Sequence, residues 1–268
     1  MIIQNPRYLL LLLILPFTFA RAAENPKITL DEFFNYVEFT GLKLSPDGQS
    51  LVIATNRADW DQNTFRDDLW LYRDDGHSGG NPIQLTQSGH DTKPRWSPDG
   101  RWIAFLSERT GGKGGKSCEE PSADDKIGQL YLISLAGGEA FPVTQGDEKV
   151  HAFAWSADSS ILYFATRTPW TKAQKDAYEK DWKDVCQYRA AERGDQVFSI
   201  SIADAIAHRG APGTPGDGPD KVSDATPGAR TLASTPWRIQ QMDVSPDGRR
   251  LAFVTESVSE RYERVEEI

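Results

Sequence analysis

The chain has 268 residues and carries 39 acidic against 30 basic side chains, which gives a formal net charge of −9. Nucleic acids and anionic membrane surfaces are bound through clusters of Lys and Arg, so this balance speaks against both as partners. The length suffices for one large all-β domain or two small domains.

Residues 1–22 have the layout of a secretory signal peptide. An apolar run, Leu9–Leu15, follows Arg7, and the stretch Ala20–Ala22 has small residues at both of its ends. The run is about half of the ~20 residues that span a bilayer, which favours a cleaved signal peptide over a membrane anchor. We therefore expect cleavage after Ala22 and an exported protein, periplasmic or extracellular, with no membrane span once the leader is removed.

The chain has two cysteines, Cys118 and Cys186. An oxidising compartment permits a disulfide between them, which would stabilise the fold by roughly 4 kcal/mol in the chain-entropy model. Two free thiols on loops are the alternative, and the sequence leaves both open.

A four-residue motif organises the chain. Ser-Pro-Asp-Gly begins at Ser45, Ser97 and Ser245, and a degenerate copy, Ser-Ala-Asp-Ser, begins at Ser156. Proline presets the backbone for a type I turn, Asp bonds to its own backbone, and Gly takes the left-handed position that closes a hairpin. Short runs of β-branched and aromatic residues follow every copy and predict strands. These runs are Leu51–Ala54, Trp102–Phe105, Ile161–Phe164 and Leu251–Val254.

A second predicted hairpin follows each of the first two motifs, so that each of these units has four strands. Four-stranded antiparallel units repeated along a chain are the blades of a β-propeller. The third unit has its third strand at Gln196–Ile200, whereas its fourth strand has no recognisable pattern. The second hairpins join Asp68–Tyr72 to Pro82–Thr86 and Gln129–Ile133 to Phe141–Thr144.

The third unit is longer than the first two because it holds two insertions. Thr171 to Ala191 places Tyr178, Trp182 and Val185 on one face of a predicted short helix. Residues 207–228 are rich in Gly, Pro and Asp and predict a loop. We interpret the helix as a cap over a blade edge rather than as a functional lid.

Two tryptophans, Trp96 and Trp155, hold the same position directly before the turn of their units. We expect both in the core between adjacent blades, and stacking on a ligand is the alternative.

The predicted organisation is all-β. A lead-in of residues 23–41 follows the leader, and residues 42–268 form a partial β-propeller of three blades and the start of a fourth, with a short helical insertion in the third blade. Propellers close with at least about four and commonly about six to eight blades, so we expect the array to be incomplete. The open edge of such an array invites pairing with a protein partner.

No residue of the sequence can be singled out as catalytic, cofactor-binding or metal-binding, and no cofactor is expected. Residues 76–80, G-H-S-G-G, match the G-x-S-x-G spacing but lie in the polar turn between two predicted strands, whereas a nucleophile elbow joins a strand to a helix. The glycine-rich stretch 111–116 lacks the spacing of a phosphate-binding loop. His90 and Asp91 are interpreted as a solvated turn.

The inner strands of a propeller that acts at its channel, such as a lactonase or glycosidase, need acid–base or metal-binding groups. The predicted inner strands offer Lys43, Arg95, Ala154 and Asp243, and the histidines His77, His90, His151 and His208 lack metal-ligand spacing.

At this level the repeat resembles a known family. Trp96–Phe105, W-S-P-D-G-R-W-I-A-F, is similar to the propeller repeats of secreted prolyl-oligopeptidase-family serine peptidases. TolB, the periplasmic translocation protein of the Tol system, has similar repeats. Ile28–Phe34 resembles the lead-in of the peptidases, and Trp182–Phe198 resembles an insertion in their acylaminoacyl- and dipeptidyl-peptidase branches.

The resemblance implies a function that this chain does not complete. In the family an α/β-hydrolase domain follows the propeller and carries the catalytic Ser, Asp and His, while the propeller admits peptides and excludes folded proteins. We therefore expect the N-terminal, substrate-gating propeller portion of an exported serine peptidase, lacking the hydrolase domain and not catalytic by itself. The alternative is a TolB-like periplasmic module for protein–protein interaction, with a protein partner at the open propeller edge.

Overall fold

The computed structural model describes residues 27–73, 82–109, 128–146, 148–169, 193–209, 226–256 and 266–267, together with Thr171, Ala173, Asp176 and Lys180. The chain divides into two compact units, Met1–Asn35 and Tyr36–Ile268. In the first unit, the short helix α1 (Leu30–Phe34) begins with a capping box, because the Thr29 hydroxyl accepts from the Glu32 amide and the Glu32 carboxylate accepts from the Thr29 amide.

The described residues of the second unit form four antiparallel sheets, and each sheet is built from strands that follow one another along the chain. This arrangement confirms the all-β class and the four-stranded blades. The first blade comprises β1 (Val37–Leu44), β2 (Ser50–Asp59), β3 (Thr64–Arg73) and β4 (Ile83–Gln84), and the second comprises β5 (Asp91–Trp96), β6 (Trp102–Ser107), β7 (Gln129–Ser134) and β8 (Phe141–Pro142). The third comprises β9 (Val150–Trp155), β10 (Ile161–Arg167), β11 (Asp195–Ser201) and β12 (Arg230–Ser234), and the fourth comprises β13 (Arg238–Val244), β14 (Leu251–Glu256) and β15 (Glu266–Glu267).

The third blade obtains its fourth strand from β12, which pairs with β11 after a long excursion of the chain. That excursion begins with the helix α2 (Ile202–Ala207), whose N-cap is Ser201. Within the predicted helix Thr171 to Ala191, the described residues Ala173, Asp176 and Lys180 are helical. The leader, both cysteines, the three predicted face residues of that helix and residues 210–225 lie outside the described residues.

The repeated turn is closed by a network of hydrogen bonds within six residues. In the second blade the Ser97 hydroxyl donates to Asp99 Oδ1 at 2.6 Å and accepts from the Trp102 amide at 2.9 Å. Asp99 Oδ1 also accepts from the Arg101 amide at 3.1 Å, and Gly100 has a φ of 70°. The same bonds recur in the other three turns. The motif is therefore a structural device that joins the first two strands of each blade.

The degenerate third copy keeps this turn with a serine in the left-handed position. Ser159 has a φ of 63°, where a side chain is strained, and its hydroxyl accepts from the Asp99 amide of the second blade at 2.9 Å. Hydrogen bonds from Ser156 and Ser160 lower the pKa of Asp158 in the same turn to about 2. The serine that stands in place of glycine therefore has a strained backbone, and its hydroxyl forms a hydrogen bond between two blades.

Middle strands of the blades carry apolar side chains on both faces. On β6, Ile103 and Phe105 pack in one cluster with side chains of the first blade, whereas Ala104 and Leu106 pack in another with side chains of the third. Successive residues of a strand point to opposite faces, so one apolar run supplies two cores. A third cluster joins the third blade to Ile239 and Met242 of the fourth.

The two repeated tryptophans lie between blades. Trp155 is 7% exposed within the cluster between the second and third blades, and its indole N–H donates to the Arg95 carbonyl at 3.3 Å. Trp96 is half-buried against the preceding cluster and donates to the Lys43 carbonyl at 2.8 Å. Each indole thus reaches the first strand of the preceding blade at the same position, which confirms the predicted packing role.

Replacement of Ser97 by Ala tests the turn network. Because Ser97 is fully buried, the variant leaves the Trp102 amide without its acceptor and should lower the free energy of unfolding by about 1–3 kcal/mol. Urea denaturation followed by tryptophan fluorescence measures this change. Ser199→Ala, on the middle of β11, is the matched control and should stay within about 0.5 kcal/mol of the native chain. Equal stability of all three proteins would contradict the structural role of the motif.

Replacement of Trp155 by Ala tests the packing between blades. The variant removes a large buried side chain from the core between two blades and should cost about 3–5 kcal/mol in the same denaturation experiment. Trp237→Ala is the control, because the Trp237 side chain is 45% exposed and its loss should change stability little. A Trp155 variant no less stable than the Trp237 variant would show that this indole does not hold the blades together.

Candidate functional site

The first strand of each blade contains a β-bulge in its pairing with the second strand. Such bulges redirect side chains and are frequent beside functional sites. All four lie near the beginning of the first strand, several residues before the repeated turn. The residues at these register shifts are Thr40, Lys93 with Pro94, His151 and Gln240.

In the third blade the bulged residue His151 enters a buried group of charges that we name the Asp195 cluster. His151 Nε2 lies 2.7 Å from Asp195 Oδ2, and Arg167 Nη1 lies 2.8 Å from Asp195 Oδ1. Strands β9, β10 and β11 each supply one of these three residues. The Ile239 amide of the fourth blade donates to Asp195 Oδ2 at 2.5 Å. One fully buried carboxylate therefore links three strands of one blade to the first strand of the next.

The surroundings of Asp195 favour its ionised form. Burial raises the pKa of this carboxyl, but the hydrogen bond and charge of His151, the charge of Arg167 and the Ile239 amide together bring it below its ordinary value. Both carboxylate oxygens are occupied by donors. The cluster is therefore suited to holding two blades in register rather than to accepting a proton from a substrate.

The backbone of Asp195 is also held by hydrogen bonds, to the residues that precede β13. The Asp195 amide donates to the Trp237 carbonyl at 3.0 Å, and the Asp195 carbonyl accepts from the Thr235 amide at 2.8 Å. Gly194 permits this approach, because a Cβ at that position would collide with the Thr235 carbonyl oxygen. A residue without a side chain is thus required directly before Asp195.

Other ion pairs lie at the same end of the blades, where first strands begin and second strands end. Arg109 Nη2 lies 2.7 Å from Asp91 Oδ2, and its guanidinium stacks over the Tyr131 ring at 4.9 Å. Asp91 is fully buried, and its Oδ1 has no hydrogen-bond partner among the described residues. Two further pairs join Lys149 to Glu108 at 3.3 Å and Arg193 to Glu148 at 2.6 Å.

The Arg95 side chain contacts the first strands of the third and fourth blades. It arises from β5, lies over the Phe153 ring of β9 at 5.5 Å, and donates from Nη1 to the Met242 carbonyl of β13 at 3.2 Å. The first strands of the second, third and fourth blades therefore come together at this side chain. Lys93, on the same strand, has a φ of 51° in the bulge and is exposed.

The four residues that were predicted on inner strands differ in their burial and contacts. Ala154 is fully buried in the cluster between the third and fourth blades, so it contributes to packing alone. Lys43 and Asp243 are exposed on β1 and β13. Of the three polar residues, Arg95 makes side-chain contacts with first strands of other blades.

The structure departs from the sequence-based interpretation at Asp91 and at His151. The interpretation of Asp91 as a solvated turn residue is wrong, because it begins β5 and its carboxylate is buried against Arg109. His151 was not singled out by its spacing, yet it lies on β9 and contacts Asp195, and no local pattern marks this pairing. His208 is the C-cap of α2 and bonds to the Asp204 carbonyl, and His77 lies outside the described residues.

Metal ligation has no candidate in the described part of the chain, where no group of three or more His, Cys, Asp or Glu side chains is arranged to hold an ion. Among the same residues, no helix is long and apolar enough to cross a membrane.

The sheets and their packing define a repeat protein of β-propeller blades. The chain is 26% identical over 211 residues to an uncharacterised peptidase, YuxL, of Bacillus subtilis, and the match covers 72% of this chain and 30% of that protein. It is also 26% identical over 125 residues to dipeptidyl-peptidase 5 of Porphyromonas gingivalis, covering 45% of this chain and 16% of that protein. Both relatives are named as peptidases, which confirms the resemblance predicted from the repeats. The chain spans less than a third of the length of either relative.

Among solved structures, the chain is similar to the acylaminoacyl peptidase of Pyrococcus horikoshii. The TM-score is 0.42 at 14% identity, and the match covers 63% of this chain and 24% of that one. No protein-family model matches the chain.

The pH dependence of stability tests the Asp195 cluster. Asp195→Asn leaves Arg167 and His151 without their buried counterion and should cost about 3–5 kcal/mol at neutral pH. Because the pKa of Asp195 is lowered in the folded chain, its contribution is present above its unfolded pKa of about 3.9 and is lost as the pH falls through the lower folded value. The difference between the two proteins should therefore narrow below about pH 4.

Urea denaturation at a series of pH values measures this difference. Asp243→Asn is the matched control, because Asp243 is exposed on β13, and it should show neither the loss nor its pH dependence. A gap that stays constant from neutral pH into the acid range would contradict an ionised role for Asp195.

Proposed function

We propose that this chain is the substrate-gating propeller part of an exported serine peptidase that acts on peptides, and that it is not catalytic by itself. The similarity to two proteins named as peptidases, one of them over 72% of this chain, is the observation that supports the proposal. The catalytic Ser, Asp and His belong, in this proposal, to an α/β-hydrolase domain of the same polypeptide.

The physical properties of the blades suit a gate. Three clusters of buried side chains join neighbouring blades, and the buried Asp195 cluster ties the third blade to the fourth. Densely packed layers of this kind resist deformation. A rigid wall beside an active site admits an extended peptide and turns away a folded domain by size alone.

Export is part of the same proposal. The leader of residues 1–22 directs the chain out of the cytoplasm, and cleavage after Ala22 leaves Ala23 as the first residue. Peptides are the proposed substrates.

An antibody raised against residues 42–256 and a fluorophosphonate probe test this function together. The probe attaches covalently to activated serines, so the polypeptide that the antibody captures from the exported fraction of the source cells should carry the label. The purified 268-residue chain should remain unlabelled. N-terminal sequencing of the captured polypeptide should begin at Ala23.

Each part of the proposal has its own result in this experiment that would contradict it. A captured polypeptide without label, in a sample where a known serine hydrolase is labelled, would contradict the peptidase. Label on the purified chain would contradict its lack of catalytic residues. Recovery of the polypeptide from the cytoplasm with an intact leader would contradict export.

A further inference from the structure

The first strand of the second blade carries two cations that form no ion pair with any described carboxylate, although the chain as a whole is acidic. These cations are Lys93 and Arg95. The carboxylates nearest in the sequence and pairing pattern are already engaged, since Asp91 pairs with Arg109 and Glu108 pairs with Lys149. Among the described residues, neither Lys93 nor Arg95 therefore has a carboxylate as its counterion.

The two cations are two residues apart on β5, within reach of one small ligand. Pro94 between them is buried, whereas Lys93 is exposed and Arg95 is half-buried. The bulge, with a φ of 51° at Lys93, turns the lysine away from the regular pairing with β6. Arg95 thus lies where the first strands meet, and Lys93 is exposed two residues before it in the bulge.

Arg95 is held in position and still has donors to offer. Its contact with the Phe153 ring and its bond to the Met242 carbonyl fix the guanidinium across two neighbouring first strands. A guanidinium has five N–H donors in a planar fork, and the Met242 carbonyl occupies one of its nitrogens. The remaining donors match the two oxygens of a carboxylate.

The local field at Lys93 is positive. Partial desolvation, followed by the charges of Lys149 and Arg95, lowers the pKa of the Lys93 ammonium. The like charges of these side chains repel one another, and an anion placed among them relieves that repulsion.

We propose that Lys93 and Arg95 bind a carboxylate of a peptide at the meeting point of the first strands. The peptide as the ligand class rests on the proposed function, whereas the carboxylate as the recognised group rests on the two cations themselves. The carboxylate belongs either to the C-terminus of the peptide or to an acidic side chain. Arg95 supplies a forked contact and Lys93 a point charge.

Calorimetric titration of the purified chain at low ionic strength tests this site with three N-acetylated alanine tetrapeptides. One has a free C-terminus, one is C-terminally amidated, and one is amidated with a central Glu. The amidated peptide without a carboxylate should bind about tenfold more weakly than at least one of the other two. The preferred peptide identifies the source of the carboxylate.

Three variants assign the binding to these residues. Lys93→Gln should weaken the preferred peptide about tenfold, because one charged donor is lost, and Lys93→Arg should retain most of the affinity. Arg101→Gln, in the exposed turn of the same blade, is the control and should bind like the native chain. Circular dichroism of each variant establishes that it is folded.

The proposal is overturned if the amidated alanine peptide binds as well as the others, if none of the three binds, or if Lys93→Gln and Arg101→Gln behave alike. Binding is measured without hydrolysis and on the chain alone. Failure here therefore leaves the peptidase proposal standing, and an unlabelled polypeptide in the fluorophosphonate experiment leaves carboxylate binding standing.

Discussion

A blade that has a neighbouring blade on each side must bury both faces of its sheet. This requirement determines which side chains the second and third blades can carry. On β6 the four residues Ile103, Ala104, Phe105 and Leu106 are all buried, although each neighbouring blade receives only every second side chain. A continuous apolar run is therefore needed where a sheet with one solvated face would show alternation. On β1, by contrast, Phe39 and Leu42 are 64% and 54% exposed, since no described blade covers them.

The fully buried carboxylates Asp91 and Asp195 both lie at the end of a strand, because the layers between the blades are apolar. The Asp195 carboxylate is tolerated in a fully buried position only because His151, Arg167 and the Ile239 amide satisfy both of its oxygens. The bulges of the first strands create the place for such groups without disturbing the cores beside them. The ion pairs of Asp91 and His151 thus lie where the first strands of the second and third blades begin.

Much of the fold could be predicted from short-range patterns. The turns, the first three strands of each of the first three blades and the packing of the two tryptophans follow from residues within one hairpin. The strand β12 could not be predicted, because all five residues of Arg230–Ser234 are exposed and only Leu232 and Ala233 among them are apolar. It becomes a strand by pairing with β11, which lies across a long insertion in the chain. The third strand of the fourth blade, Glu266–Glu267, was also missed, because two successive glutamates do not predict a strand.

By itself the sequence determined the repeat, since a Ser-Pro-Asp-Gly turn closes through hydrogen bonds among six consecutive residues and needs no partner elsewhere. The charged region was decided only by the tertiary structure. His151 and Asp195 are 44 positions apart, and they meet because a bulge turns the imidazole out of its strand while the next blade supplies an amide. Neither the bulge nor the neighbouring blade leaves a mark in the residues around the histidine, so no local pattern could reveal the pair.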